Sequence, residues 1–536
     1  MQKIIPITII LSVTCILLLI PSQSSTAQTG LWSDPLPLSE LDGEEVTIAS
    51  APALAVDHEG NLHTVWHGVT IEVVVDEDGN EQPPQNRDWL RYRARRAGVW
   101  TGTQNVFDRV RPTLGDAFFT QSGGAGMYNP AFTLRGQLLA GNDSHLHLLV
   151  GNAGRQWYLK APLNDEIVRR LVLFPPWPLS EGPQSAITIS PEGKLYLVIN
   201  DTPPGLETIA DLPEDICTDC SYVFFRYSDD GGRIWSNTEN ISDDDDVQVF
   251  TPQIKIDTLN RLHVIWEERE RERALDPGGQ IVYQYSDDAG QRWQAPVRMA
   301  LTGETVGQAA LVVNRLQTVM VVYQGMQSEA VFYQMSPDYG TNWALPRVLP
   351  DVQSVGGSAD FNRFSLAADG NGHIHMLMVG LPTGSGGTAA QLLHLVWDGQ
   401  TWSPPRSIAT GAAHPRGPQL VMERGQRLHA VWFTSNIHPQ SRAEQQQVWY
   451  SALDLAAPEV ALLPTLTPDP ARLPTATREP IVFPTLVPLD EPLRTQETLD
   501  GPPLWELRGL QAAGLGLFGV VLLLLVVGAS YLRLRR

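Results

Sequence analysis

Short runs such as PALAVD, PQIKID and RLHVIW set apolar against polar residues over strand lengths, and clusters of Gly, Asn, Asp and Pro separate them. That is the pattern of half-buried β-strands joined by turns. One of these strands recurs. It reads NLHTVW (61–66), HLHLLV (145–150), KLYLVI (194–199), RLHVIW (261–266), QTVMVVY (317–323), HIHMLMV (373–379) and RLHAVW (427–432), at steps of about 50 to 67 residues after a longer first one. Most copies follow a short strand ending near Asp or Gly (PALAVD, SAITIS, PQIKID, FSLAAD, PQLVME). A third strand comes after them, and then a fourth of the form Trp-x-x-Pro (WQAPVRM, WALPRVL, WSPPRSI). Each repeat therefore predicts one four-stranded unit.

A second phrase joins the third and fourth strands of three successive units: YSDDGGRIW (227–235), YSDDAGQRW (285–293) and MSPDYGTNW (335–343). In Ser-x-Asp-x-Gly-x-x-Trp the carboxylate can accept N–H bonds from its own turn and the Gly gives a permissive backbone. The Trp is expected to tuck back onto the hairpin. The residues concerned are Ser228, Asp230, Gly232 and Trp235; Ser286, Asp288, Gly290 and Trp293; and Ser336, Asp338, Gly340 and Trp343. Their role is structural.

The phrase resembles the Asp-box, or BNR repeat, of the sialidase-type β-propellers. The resemblance implies an all-β ring of four-stranded blades with the Asp-boxes on the face away from any active site. Seven repeats predict seven blades, or six if the irregular second repeat (129–174) is an insertion. The seventh repeat lacks a fourth strand, and LWSDPLPLS (Leu31 to Ser39) has the missing Trp-x-x-Pro pattern. An N-terminal strand is thus expected to close the ring, which would leave no unpaired sheet edge.

The resemblance also implies what sialidase chemistry would need: three Arg on a substrate carboxylate, a Tyr–Glu nucleophile pair and an Asp acid/base. The first inner strand, SAPALAVD, carries no Arg where the family places its Arg-Ile-Pro stretch. Arg226, Arg363, Arg416, Arg442, Tyr450 and Glu267 lie near expected strand ends, outside any family motif. No catalytic residue is assigned. The loops between second and third strands and between blades (67–88, 200–221, 267–280, 433–447 and 242–251) should gather on one face around the central channel and form the ligand-binding surface.

Trp66, Trp266 and Trp432 end equivalent strands, and they either face that surface as stacking platforms for sugar rings or fill the gaps between blades. His63, His147, His263, His375 and His429 also recur, spread around the ring, so packing and backbone hydrogen bonds are expected of them rather than a metal site. Asp243 to Asp246 offer oxygen ligands to Ca²⁺ but lack EF-hand spacing, so a solvated run is the default and no cofactor is assigned.

The chain's 536 residues carry a formal charge of -21 and a pI near 4.9, which excludes a broad basic surface for nucleic acid. The first 27 residues, with Lys3 and an apolar core from Ile4 to Ile20, read as a secretory signal peptide. The propeller is expected over 28–456. In an oxidising exterior Cys217 and Cys220 (CTDC) predict a small local disulfide, since a metal site would need two further ligands. A Pro/Thr-rich stalk (457–506) leads to a transmembrane helix (507–532), whose stretch Leu510 to Leu532 carries no charge and is long enough to cross a bilayer. Arg533, Arg535 and Arg536 keep the tail (533–536) in the cytoplasm. These features describe a cell-surface protein whose propeller meets a glycan or protein ligand outside the cell. The alternative is a membrane-tethered exo-acting glycoside hydrolase of the sialidase type.

Overall fold

A computed structural model describes residues 30–41, 48–72, 85–106, 138–152, 155–163, 172–173, 184–201, 220–242, 247–270, 278–299, 301, 303–355, 363–384, 389–409, 414–437, 444–461 and 466. All lie in one compact unit, Met1–Pro468. The signal peptide, the transmembrane segment and nearly all of the stalk fall outside the described residues. Among those described, no helix is long and apolar enough to cross a membrane.

The unit is a seven-bladed β-propeller. Blade 1 runs Ile48–Val56, Leu62–Glu72, Gln85–Arg96 and Gln104–Asn105; blade 4, the most regular, runs Val247–Ile256, Leu262–Glu270, Gln280–Ser286 and Val297–Met299. The irregular second repeat is a blade of its own, Leu138–Ala140, His145–Asn152, Arg155–Pro162 and Val172–Leu173, which decides seven against six. Blade 7 takes three strands from the end of the propeller (His414–Glu423, Arg427–Ile437, Glu444–Asp454) and its fourth, Leu36–Pro37, from the start. Leu36 pairs with Tyr450 and Pro37 with Trp449. Ring closure by the N-terminal strand is as the Trp-x-x-Pro pattern predicted.

The turns after the inner and third strands share one face. There the Asp-boxes are built on a shared set of bonds. Ser228 Oγ donates to Asp230 Oδ1 (2.8 Å), Gly232 N–H donates to Ser228 Oγ (2.8 Å), and Arg233 and Ile234 N–H donate to the same carboxylate (both 2.9 Å). Ser286, Asp288 and Gly290, and then Ser336, Asp338 and Gly340, repeat the Ser–Asp and Gly–Ser bonds and the one from the N–H four residues after the aspartate.

The tryptophan reaches beyond its own hairpin, although Trp343 Nε1 also donates to the Gly340 carbonyl of its own turn (3.1 Å). It stands edge-on against the third-strand ring of the preceding blade: Trp235 on Tyr158 (ring centres 5.4 Å apart), Trp293 on Phe225 (5.2 Å) and Trp343 on Tyr283 (4.7 Å). Trp402 on Tyr333 (5.7 Å), Trp32 on His394 (5.2 Å) and Trp100 on Tyr450 (5.0 Å) continue the pattern in blades without the full phrase. Edge-to-face pairs are favourable beyond the area they bury. The Asp-box is a clasp between blades.

The recurrent histidines belong to the same face. His63 Nε2 meets Asp57 (3.2 Å) and its Nδ1 meets the Tyr92 hydroxyl (2.9 Å). His147 joins Asp143 to Tyr158, His263 joins Asp257 to Tyr283, and His429 joins Glu423 to Tyr450. In blade 6 His375 lies between Asp369 and His394. The imidazoles are buried, 0–2 % exposed, and bonded to side chains rather than to backbone. Each cross-links three strands of one blade.

Beyond blade 7 the chain stays on this face. Val460 N–H donates to the Arg424 carbonyl (2.8 Å), and Leu466 N–H donates to the Asn142 carbonyl (2.9 Å) in blade 2. The part of the expected stalk nearest the propeller is therefore docked.

Candidate functional site

The opposite face gathers the first residues of the inner strands and the last of the second strands. Four inner strands bulge there. Ala51, Thr251, Gln308 and Gly417 have φ between 47° and 55°, and the register slips at Ser50/Ala53, Phe250/Gln253, Gly307/Ala310 and Arg416/Gln419. Such bulges turn the strand and free an N–H from the ladder.

The second strand answers this need. One residue past the tryptophan position stand His67, Asn200, Glu267 and Gln324, all buried. Asn200 accepts from Gln184 N–H and donates to the Val249 carbonyl of the next blade (3.1 Å), while Gln184 accepts from the bulge N–H of Thr251. Glu267 repeats this one blade on. Its Oε2 lies 3.4 Å from the Gln308 bulge N–H and its Oε1 accepts from Arg269 Nε at 2.6 Å. Glu267 is only 3 % exposed, and Arg269 is further held over the Phe250 ring (4.2 Å). Its neighbour Glu268, also 3 % exposed, accepts from Trp266 Nε1 (2.9 Å) and Gln280 Nε2 (2.9 Å) and sits 3.6 Å from Arg298 Nε. Glu267 is thus a buried, ion-paired carboxylate that fastens blade 4 to blade 5.

Trp66, Trp266 and Trp432 are corrected by the structure. Each is 1 % exposed. Trp66 packs with Val431 and Phe433 of blade 7, Trp266 with Tyr196 and Phe225 of blade 3, and Trp432 with Leu377 and Leu392 of blade 6. They fill the gaps between blades and leave no ring face for a sugar. A flat aromatic ending a strand suits both uses, so the sequence alone did not separate them.

Arg363 and Arg416 lie on this side, in blades 6 and 7. Burial holds the Arg363 guanidinium below its ordinary pKa, repulsion from Arg416 adds to this, and Glu329 acts the other way. Arg363 opens the inner strand of blade 6 and Arg416 lies at the bulge of blade 7, where it is exposed. The two guanidinium groups thus come from adjacent blades. Arg226 goes elsewhere: its Nε donates to Thr238 (2.8 Å) inside blade 3. Tyr450 points to the Asp-box face, where its hydroxyl meets His429 Nδ1 at 2.8 Å, so no Tyr–Glu pair forms with Glu267. Arg442 and Asp243 to Asp246 lie outside the described residues. Among those described, no three His, Cys, Asp or Glu are grouped to hold a metal ion. Cys220 is fully buried and disulfide-bonded; Cys217 lies outside the described residues.

The chain matches no protein-family model and no curated protein sequence. Its fold is similar to that of solved propellers. A protein of unknown function from Dyadobacter fermentans is 10% identical over 80% of this chain and 99% of its own (TM-score 0.42). A point mutant of NanB sialidase from Streptococcus pneumoniae is 11% identical over 76% and 68% (TM-score 0.41). The α-L-arabinanase of Penicillium chrysogenum is 12% identical over 80% and 98% (TM-score 0.36). These are likenesses of fold alone.

Proposed function

We propose that the protein is a cell-surface binding module, carried on a stalk and a single transmembrane helix, that offers the face opposite its Asp-boxes to a glycan bearing carboxylates. The observation that carries the reading is the asymmetry of the two faces. The chain leaves the ring along the Asp-box face, through Val460 and Leu466, so a stalk beginning there turns the other face away from the membrane. That outward face bears Arg363 and Arg416 on adjacent inner strands. Paired guanidinium groups suit a planar carboxylate, since each presents a fork of N–H donors. The partner is then an acidic saccharide, held by two cations on the outward face of a chain that is acidic overall.

The second reading is an exo-acting glycoside hydrolase. Glu267, a buried carboxylate beside Arg269 on the same face, favours it. Tyr450 weighs against a sialidase nucleophile, because it is committed to His429.

The test is a glycan array probed with residues 28–468, beside hydrolysis of a fluorogenic sialoside by the same sample. Saturable binding of acidic glycans that falls at least tenfold in R363A and R416A, without turnover, supports the binding module. Turnover abolished by E267Q would establish the enzyme instead, and binding unaffected by either Arg change would sink the proposed site.

A further inference from the structure

The axis of the ring is a channel of about 290 Å³, walled by inner strands of all seven blades, among them Leu54, Leu139, Ile187, Leu311, Leu366 and Leu420. Lys255 of blade 4 is the one ionisable side chain among the lining residues. The same backbone hydrogen bond closes the turn after the inner strand in most blades, for instance from Asp57 N–H to Asn61 O and from Asp257 N–H to Arg261 O, which fixes their register. Two residues before that turn the other blades carry Ala55, Leu139, Thr188, Val312, Ala367 and Val421. A single blade breaks the rule with a charge.

Nothing in the wall balances that charge. Among the described residues Lys255 has no hydrogen bond or ion pair, and Asp257, two residues on, is already bound to His263 and Arg261. The other polar groups lining the channel are mostly engaged across blades. Gln253 bridges to the Ala309 carbonyl (2.6 Å) and Leu311 N–H (3.3 Å), and Ser365 accepts from Leu420 N–H (2.9 Å). The Lys255 side chain is exposed to the channel water, and desolvation by the protein around the channel lowers its pKa with no acid to offset it. A cation that faces the channel with no acid beside it is a pairing site for an anion, and the apolar inner strands around it suit a hydrocarbon part.

We propose that the central channel binds a small organic monocarboxylate, with its carboxylate on Lys255 Nζ and its hydrocarbon part against the apolar inner strands. The volume is near the lower end of small-molecule sites, about 300 Å³, so the ligand has only a handful of carbon atoms. This site is separate from the outward face and needs neither Arg363 nor Arg416.

Butyrate is the probe, and calorimetry with the full-length chain in detergent micelles is the measurement. Saturable one-to-one binding is expected at pH 7, weakened at least tenfold in K255M, largely kept in K255R, and unchanged in R363A and in K194M, which removes a lysine outside the channel. Butyramide, the neutral analogue, should not bind. Wild-type protein that fails to bind butyrate, or K255M that binds it equally, would overturn the proposal. Should K255M misfold, reductively ¹³C-methylated wild-type protein decides the matter: the Lys255 signal must shift on adding butyrate and must titrate at higher pH in its presence, and a signal unmoved by butyrate rejects the site.

Discussion

Trp32 donates its indole N–H to Nδ1 of His394 at 3.2 Å, across 362 positions of sequence, with the two rings perpendicular. The contact joins the N-terminal strand, which completes blade 7, to the third strand of blade 6. Ring closure is therefore held by a ladder to one blade and an aromatic clasp to another. Burial of the His394 ring keeps its pKa well below the ordinary value, so the ring stays neutral and its Nδ1 accepts that hydrogen bond. Truncation to alanine loses both packing and hydrogen bond. A fully buried Trp→Ala change costs about 3–5 kcal/mol, and partial exposure of Trp32 brings the expected loss for W32A to about 2 kcal/mol. Thermal unfolding of W32A beside W32F measures it, with the phenylalanine variant expected to recover part of the loss.

The glycine of each Asp-box is required by the neighbouring blade as well as by its own turn. Gly340 has φ 93°, and a Cβ there would collide with the Tyr283 hydroxyl of blade 4. Gly399, with φ 98° in the corresponding turn of blade 6, has nothing within 4 Å of such a Cβ. G399A should lose only the cost of the strained backbone, roughly 1–2 kcal/mol, whereas G340A should lose a further 1–3 kcal/mol in order of magnitude from the clash. Denaturant midpoints of the two variants test this, and equal losses would show that the clasp does not press on the turn.

Much of this architecture was legible in the sequence because it rests on local chemistry. Strand alternation, the Asp-box turns and the stray LWSDPLPLS segment each encode their own geometry, and blade count and ring closure follow from them. What was not legible depends on which neighbour a side chain meets. Trp66, Trp266 and Trp432 read equally well as platforms or as packing until the adjacent blade is placed beside them. Tyr450 looked available until His429 claimed its hydroxyl. Lys255 does carry a signal, a lysine inside PQIKID where the equivalent inner-strand positions are apolar or carry a threonine.

The acid–His–Tyr sets should make stability fall in acid. Burial alone would raise the Asp57 and Asp257 carboxyls, yet hydrogen bonds from His63 and Asn61, and from His263 and Arg261, bring both down to about 2. Burial lowers His147, His263, His375 and His429 below 6.5, because their neutral rings are the ones that fit. Both kinds of group have a folded pKa below the unfolded one. Each therefore contributes stability that is complete above the unfolded value and is lost as pH falls through the folded one. Histidine losses begin below about pH 6.5, and carboxylate losses follow below about pH 4; a tenfold difference in proton affinity between the folded and unfolded chain is worth about 1.4 kcal/mol. Urea midpoints from pH 8 to pH 4 should decline progressively below 6.5; a constant midpoint down to pH 5 would contradict the buried neutral imidazoles.

Glu267 separates fastening from chemistry. Its carboxylate holds Arg269 at 2.6 Å and faces the Gln308 bulge N–H, both in a nearly dry environment. Removing one partner of a buried ion pair costs about 3–5 kcal/mol, since the other charge is left uncompensated. E267A is expected to approach that loss, and E267Q, which keeps an acceptor oxygen and the side-chain volume, to lose less. E267A/R269M should recover much of the stability by removing both charges. If the residue only fastens blades 4 and 5, ligand binding by the folded fraction of E267Q stays within a few-fold of wild type while its unfolding midpoint drops. If it also performs chemistry, turnover disappears in E267Q even where its midpoint is unchanged. Measuring midpoint and turnover on the same preparation distinguishes the two.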